Sequence, residues 1–393
     1  MRTLLMAVAC GVGVANAYFP QAISPLLARD LHLSEGAAAT AVTAVQLGYA
    51  AGIFFLVPLG DRLPRRPLVA GLFGAVAVAL LLAGTARSLA PLLVFGALTG
   101  AVTVVPQLLI PMAADLAEPA RAGRAVAALQ GGLLAGVLLA RAFGGVLGQA
   151  LGWRAPYIAA AGLAAVLAVA LLVALPRMRP NADESYPRLL GSGLRLLRTV
   201  PQLRRSAAYQ ALAFGAFTAA WTSIALLLTG PRFGLGTGAV GVVALVGAGS
   251  VVAVPAAGRL VDRRGPDRLS ALCFAGLGAA AVVLLAGELA NAKLALAGLV
   301  AGMLLLDVTV QSSQVANQAR IFAAAPGARS RINGVYMTAV FLGGSAGSWL
   351  GARAYLALGW TAVCGLVALA AGLAALRHAT AAVDARQQVA DRV

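Results

Sequence analysis

Val57-Pro58-Leu59-Gly60-Asp61-Arg62-Leu63-Pro64-Arg65-Arg66 sets one acid and three arginines between two long apolar runs, 38–60 and 68–86. Each run approaches or exceeds the ~20 residues that a helix needs to cross the hydrocarbon core of a bilayer. The motif returns in altered form. Gly258-Arg259-Leu260-Val261-Asp262-Arg263-Arg264-Gly265 again separates two apolar runs, with Asp262-Arg263 lying 201 positions after Asp61-Arg62. A charged hinge between apolar runs that occurs twice points to a membrane chain duplicated in tandem.

Working outward, further runs fall at 4–28, 90–115, 125–150 and 155–175, then at 207–229, 239–257, 269–287, 294–318, 332–352 and 361–376. In lipid every backbone polar group must be bonded inside the chain, so such runs are helices. A membrane barrel would alternate in polarity over about ten residues, and none of these runs does. The expectation is an all-α integral membrane protein with twelve transmembrane helices in two pseudo-symmetric six-helix bundles. Residues 1–175 form the first bundle, 176–206 a cytoplasmic linker, 207–377 the second bundle and 378–393 a cytoplasmic tail. Gly152-Trp153 and Gly359-Trp360 repeat at an offset of 207, which also aligns Gly136, Ala140 and Gly144 with Gly343, Gly347 and Gly351. Small residues at every fourth position let helix backbones approach closely, so these glycines read as packing positions.

Charge agrees with this layout. Apolar residues make up 61% of the 393 positions and charged residues 11%, too few to cover a soluble surface. The net charge of +17 does not read as nucleic-acid binding, because the arginines form no single face or tail. They sit between apolar runs, 23 basic residues in one set of gaps and 6 in the other, with Arg141 inside a run. The positive-inside rule then places both termini and the linker in the cytoplasm. The linker, with Asp183 and Glu184 among seven arginines, reads as partly amphipathic helix on the anionic inner leaflet. Cys10, Cys273 and Cys364 all lie within apolar runs and read as small buried hydrophobes. Arg2 and Ala15-Asn16-Ala17 imitate a secretory signal. The run continues through Leu27, however, so this segment reads as the first span.

The residues at this point resemble the major facilitator superfamily. Val57 to Arg66 is similar to its signature loop, with the acid, the base after it and the closing basic pair. Val57 and Pro64 stand where the pattern has glycines. The second copy keeps both glycines and has Pro266-Asp267 in place of bases. Tyr18-Phe19-Pro20-Gln21, Gln46-Leu47-Gly48-Tyr49, Asn317-Gln318-Ala319-Arg320 and the run from Arg329 to Gly347 resemble a bacterial branch of efflux permeases. Proton-driven drug antiporters of the superfamily commonly carry Gly-Pro in the fifth span, whereas this chain has Ala140-Arg141. The resemblance implies a cavity lined by spans one, four, seven and ten. It also implies a monomer that suffices, and a bacterial inner-membrane location.

Two charged residues lie deep within spans, Asp307 and Arg141. Each costs on the order of 2.5–3.5 kcal/mol to insert, so a functional reading is the default. Counted from the cytoplasmic side, they differ in depth by some 4–5 Å at about 1.5 Å per residue. Asp307, Gln311, Gln314 and Gln318 recur at spacings of four, three and four, one face of a helix. Asp307 is open to three readings: proton or substrate coupling, a fixed ion pair, or a cationic-substrate site. Arg141 is a counter-ion to Asp307, an anchor for an anionic group, or an arginine reaching towards the outer surface. Asn16, Gln21, Gln46, Gln107, Tyr209, Gln210, Trp221, Gln311 and Gln314 are candidate cavity-lining residues. Pro20, Pro106 and Pro111 can bend their helices beside such amides.

Asp61 is a candidate latch at the cytoplasmic end, where a carboxylate can meet the start of the eleventh span near Arg331. Arg62, Arg65, Arg66, Asp115, Asp262 and Arg263 are candidate members of the same gate, with a charged loop that only fixes topology as the alternative. The chain has two histidines, one lysine, no metal motif, no nucleophile elbow and no phosphate loop. No cofactor, metal or enzymatic role is expected. The partners expected are a small-molecule substrate, a proton and the bilayer. Export by proton antiport leads, uptake by symport is the alternative, and a membrane enzyme or receptor is remote.

Overall fold

The computed structural model describes residues 2–118, 121–178, 185–247, 249–250, 253–290, 292–325 and 328–390. Asp183 and Glu184 of the linker lie outside the described residues. Among those described there is no strand. The helices are α1 (Arg2–Ala15), α2 (Phe19–Asp30), α3 (Glu35–Phe55), α4 (Leu59–Arg62), α5 (Arg65–Gly84), α6 (Leu89–Val102), α7 (Val105–Leu116), α8 (Ala122–Leu151) and α9 (Arg154–Ala174). They continue with α10 (Tyr186–Thr199), α11 (Pro201–Thr229), α12 (Gly238–Gly247), α13 (Ala253–Leu289), α14 (Ala292–Ala324), α15 (Arg329–Leu358) and α16 (Trp360–Ala390).

Three expected spans are interrupted helices, the first and fourth near the middle and the second near its end. Pro20 and Pro106 occupy the first turns of α2 and α7, and Pro58 precedes α4. A proline lacks the N–H that would continue the preceding helix and suits the start of a new one. Thus α1–α2, α3–α4 and α6–α7 each make one crossing. In the second half α13 turns back at Gly265, whose φ of 78° and ψ of 162° are open to glycine and not to other residues. α12 with the first part of α13 is therefore the eighth span, and the rest of α13 the ninth. Among the described residues, ten segments are long and apolar enough to cross a membrane. Together with the eighth span, whose helix α12 is short, and α15, whose apolar content is diluted by polar residues, they are consistent with the expected twelve.

The two halves repeat their packing. Gly132 and Gly136 of α8 lie against Ala7 and Gly11 of α1, and Gly144 against Phe19 of α2. In the second half Gly343, Gly347 and Gly351 of α15 lie against Ala211, Gly215 and Ala219 of α11. A side chain at Gly136 or Gly347 would run into the partner helix's backbone. The turns after α8 and α15 also match. Gly152 and Gly359 have φ of 86° and 76°, each followed by a buried tryptophan, Trp153 or Trp360.

The halves meet along α3 with α15, α8 with α12 and α2 with α11. On the arginine-poor side this seam is tight. Gln149 Oε1 accepts from the Gly238 N–H at 2.7 Å, and Thr237 Oγ1 donates to the Gly145 carbonyl at 3.1 Å. Gly36 lies against the end of the Leu356 side chain. Further in, the Thr43 and Ser348 hydroxyls lie 3.3 Å apart, and the Tyr49 and Phe341 rings have centroids 4.4 Å apart. Outward, large apolar side chains such as Val94, Val169, Val173 and Leu289 face the exterior, as lipid contact requires.

Candidate functional site

The centre of the molecule is assembled from four helices. Asp307 comes from α14, Trp221 from α11, Arg141 from α8 and Gln21 from α2. All four side chains are buried, with residue exposure no higher than 3%. Trp221 Nε1 donates to Asp307 Oδ1 at 3.0 Å. The face of the same indole receives Arg141, whose guanidinium carbon lies 3.9 Å from the ring centroid. Tyr18 and Phe217 stand at 5.1 and 5.3 Å from that carbon, so the cation sits in an aromatic box. Arg141 Nε donates to Gln21 Oε1 at 2.9 Å. Asp307 and Arg141 thus meet the same indole, the carboxylate at its N–H edge and the guanidinium on its face, with no salt-bridge contact between them. The indole N–H is complementary to the carboxylate and the π face to the guanidinium.

Sequence reasoning passed over Tyr18 and Phe217. The signal was there in spacing: Tyr18 is three residues before Gln21 and Phe217 four before Trp221, one helix face in each case.

The stripe below Asp307 keeps its polarity. Gln311, Gln314 and Gln318 are half-buried, and Gln318 Nε2 donates to Asn333 Oδ1 at 3.3 Å. Other candidate lining residues separate. Gln46 is buried with neither amide atom hydrogen-bonded, close to Gly344 of α15. The Gln107 side chain reaches Tyr49. Asn16 donates to Thr103 Oγ1 at 3.3 Å, which in turn donates to the Gly13 carbonyl at 2.8 Å. That contact fastens the breaks of the first and fourth spans together. Gln210 bonds Val310 and Asn317 within its own half. Tyr209 lies 12 residues before Trp221, about 18 Å along the helix, beside Arg205 and His378. Among the described residues no three of histidine, cysteine, aspartate or glutamate gather to hold a metal ion.

At the arginine-rich end each half carries a cluster of its own. Arg65, at the start of α5, bonds Asp115 at 2.6 Å, the Gly60 carbonyl at 3.2 Å and, more loosely, Asp61 at 3.9 Å. Arg65 is buried, whereas Arg62 is exposed and Arg66 half-buried. The basic partner of the two acids is therefore Arg65, which Pro64 turns into the helix start. In the second half Asp267, at the start of the ninth span, bonds Arg320 at 3.0 Å and Arg205 at 2.7 Å. Arg320 also bonds Ser206, Ser270 and Asn317. Asp262 and Arg263 are exposed and take part in neither cluster. Asp61 faces the start of α15 across a small cavity of about 40 Å³, lined also by Phe54, Leu189, Gly193, Arg331 and Gly334.

A family model described as Major Facilitator Superfamily matches residues 5–345. The chain belongs to the major facilitator superfamily. It is similar to the transporter YgaY of Escherichia coli, at 38% identity over 363 residues, 92% of this chain and 90% of that protein. It is also similar to a chloramphenicol resistance protein of Streptomyces lividans, at 31% identity over 264 residues, 66% of each chain. Among solved structures, a bacterial homolog of the human lysosomal transporter Spinster, in an inward-facing and occupied conformation, matches with a TM-score of 0.71. That match has 16% identity and covers 97% of this chain and 96% of the other. As a member of the superfamily, the chain is a multi-pass membrane transporter of small molecules and not an enzyme.

Proposed function

We propose that this superfamily member exports a small molecule across the bacterial inner membrane by alternating access, in exchange for an entering proton that Asp307 carries. The observation behind this reading is the state of that carboxylate. It is buried where the two halves meet, one oxygen is held by Trp221, and the other has no hydrogen-bond partner. A buried carboxylate held on one side only can accept a proton or a ligand group on the other. Its own helix continues as a half-buried amide stripe towards the arginine-rich end.

The arginine bias orients that end towards the cytoplasm, with both termini. The tight seam at the opposite end then closes the outer side, and residues 1–175 and 207–377 are the two bodies that rock. Asp307 would take up its proton when the outer side opens and release it inward when the seam closes. The Asp61–Arg65–Asp115 cluster, facing Arg331, serves as the inner latch, and one copy of the chain suffices. The name of the chloramphenicol resistance relative supports export over uptake.

Everted membrane vesicles with an acidified lumen and a pH-reporting dye test this directly. A compound that collapses the gradient with wild type and not with Asp307→Asn is the expected result. Equal responses from both proteins would remove Asp307 from the coupling. A compound that requires the gradient for the opposite direction of movement would establish uptake.

A further inference from the structure

Three polar atoms at the centre have no hydrogen-bond partner: Gln21 Nε2, Arg141 Nη2 and Asp307 Oδ2. Their residues are at most 3% exposed. Unmet polar groups buried this deeply are destabilising, and native proteins keep few of them without a use. Here they are sorted by kind. Two donors lie at the face of the Trp221 indole, and the one acceptor belongs to the carboxylate at its N–H edge, beside Gly247 of α12.

We infer that the centre binds a compact dipolar molecule of no net charge. Its oxyanion meets Arg141 and Gln21, and its ammonium or N–H group meets Asp307. This rests on the reading of the centre as the transport site, and charge balance carries it further. Arg141 and ionised Asp307 sum to zero. A bound monoanion would leave one uncompensated negative charge inside the membrane and a monocation one positive charge, whereas a dipole leaves neither. Protonation of Asp307 takes away the partner of the ammonium group, so proton and substrate exclude each other at one oxygen, as exchange requires.

The test uses the purified full-length chain and three probes that share a phenyl ring: phenylalanine, 3-phenylpropanoate and 2-phenylethylamine. At neutral pH they are a dipole, an anion and a cation. Equilibrium binding by calorimetry should rank phenylalanine at least about ten-fold tighter than either singly charged probe, since each of those leaves a buried charge unpaired. Asp307→Asn should move the preference to 3-phenylpropanoate, and Arg141→Gln should move it to 2-phenylethylamine. A reversed preference is not something a merely destabilised protein produces. If a variant does not fold, the wild-type order alone decides. Equal affinities, a singly charged probe in first place, or no binding by any of the three would overturn the proposal. No gradient is present in this measurement, so its failure is separate from that of proton-linked export. Dipole binding without proton coupling would sink the latter alone.

Discussion

At the residue scale, Trp221 holds the centre together, and its two functions can be separated. Trp221→Phe retains an aromatic face for Arg141 and loses the N–H that reaches Asp307. A hydrogen bond to a charged group contributes about 1.5–3 kcal/mol to stability, so thermal stability in detergent should fall by about that amount and transport should fall with it. Trp221→Leu removes both contacts and should be poorer in both assays. A transport rate unchanged in Trp221→Phe would show that the indole N–H only fills space. Arg65 offers a second residue-level test. Arg65→Gln leaves Asp61 and Asp115 facing each other without their cation, and adding Asp115→Asn to that variant should recover part of the lost activity. No recovery would argue that Arg65 acts alone.

At the element scale, the glycine faces of α8 and α15 decide how near the helices lie. Gly347→Val places a side chain against the backbone of α11 at Gly215 and should lower stability by about 1–3 kcal/mol, the range for overpacked interiors. Gly278→Val is the control, because a side chain there meets nothing within 4 Å. Thermal unfolding of the two variants side by side checks this, and equal melting would contradict a close approach at Gly347. Much of this scale was legible in the chain. Run length gave the spans, the fourth-residue repeat of glycine gave the packing faces, and the arginines gave the gaps. The breaks at Pro20 and Pro106 were readable as bends. What periodicity could not supply was the rotation of one helix against the next. It put Asp307 on a polar face, but whether Arg141 or Trp221 met that face depended on packing across four separate helices. The prominence of Arg65 over Arg62 was hidden for a similar reason, since it depends on where α5 begins after Pro64.

At the scale of the whole molecule, the seam on the arginine-poor side predicts distinct reactivities at the two ends. Gly36→Cys combined with Leu356→Cys should cross-link readily, and Gln311→Cys should react with a charged maleimide supplied from the arginine-rich side. The native Cys10, Cys273 and Cys364 are buried and should stay silent. Cross-linking absent at the first pair would mean that the molecule rests in another state. The two end clusters have one more consequence. In the first half the arginine stands at the start of the third span and its carboxylate at the end of the fourth; in the second half the polarity is inverted, with Asp267 at the start of the ninth and Arg320 at the end of the tenth. Halves that repeat one packing scheme would be at risk of exchanging helices while the chain is being inserted. Here a third span misplaced beside the tenth would bring Arg65 against Arg320, and a ninth beside the fourth would bring Asp267 against Asp115. Both errors would bring like charges together, so the inversion would favour each hairpin pairing with its own mate.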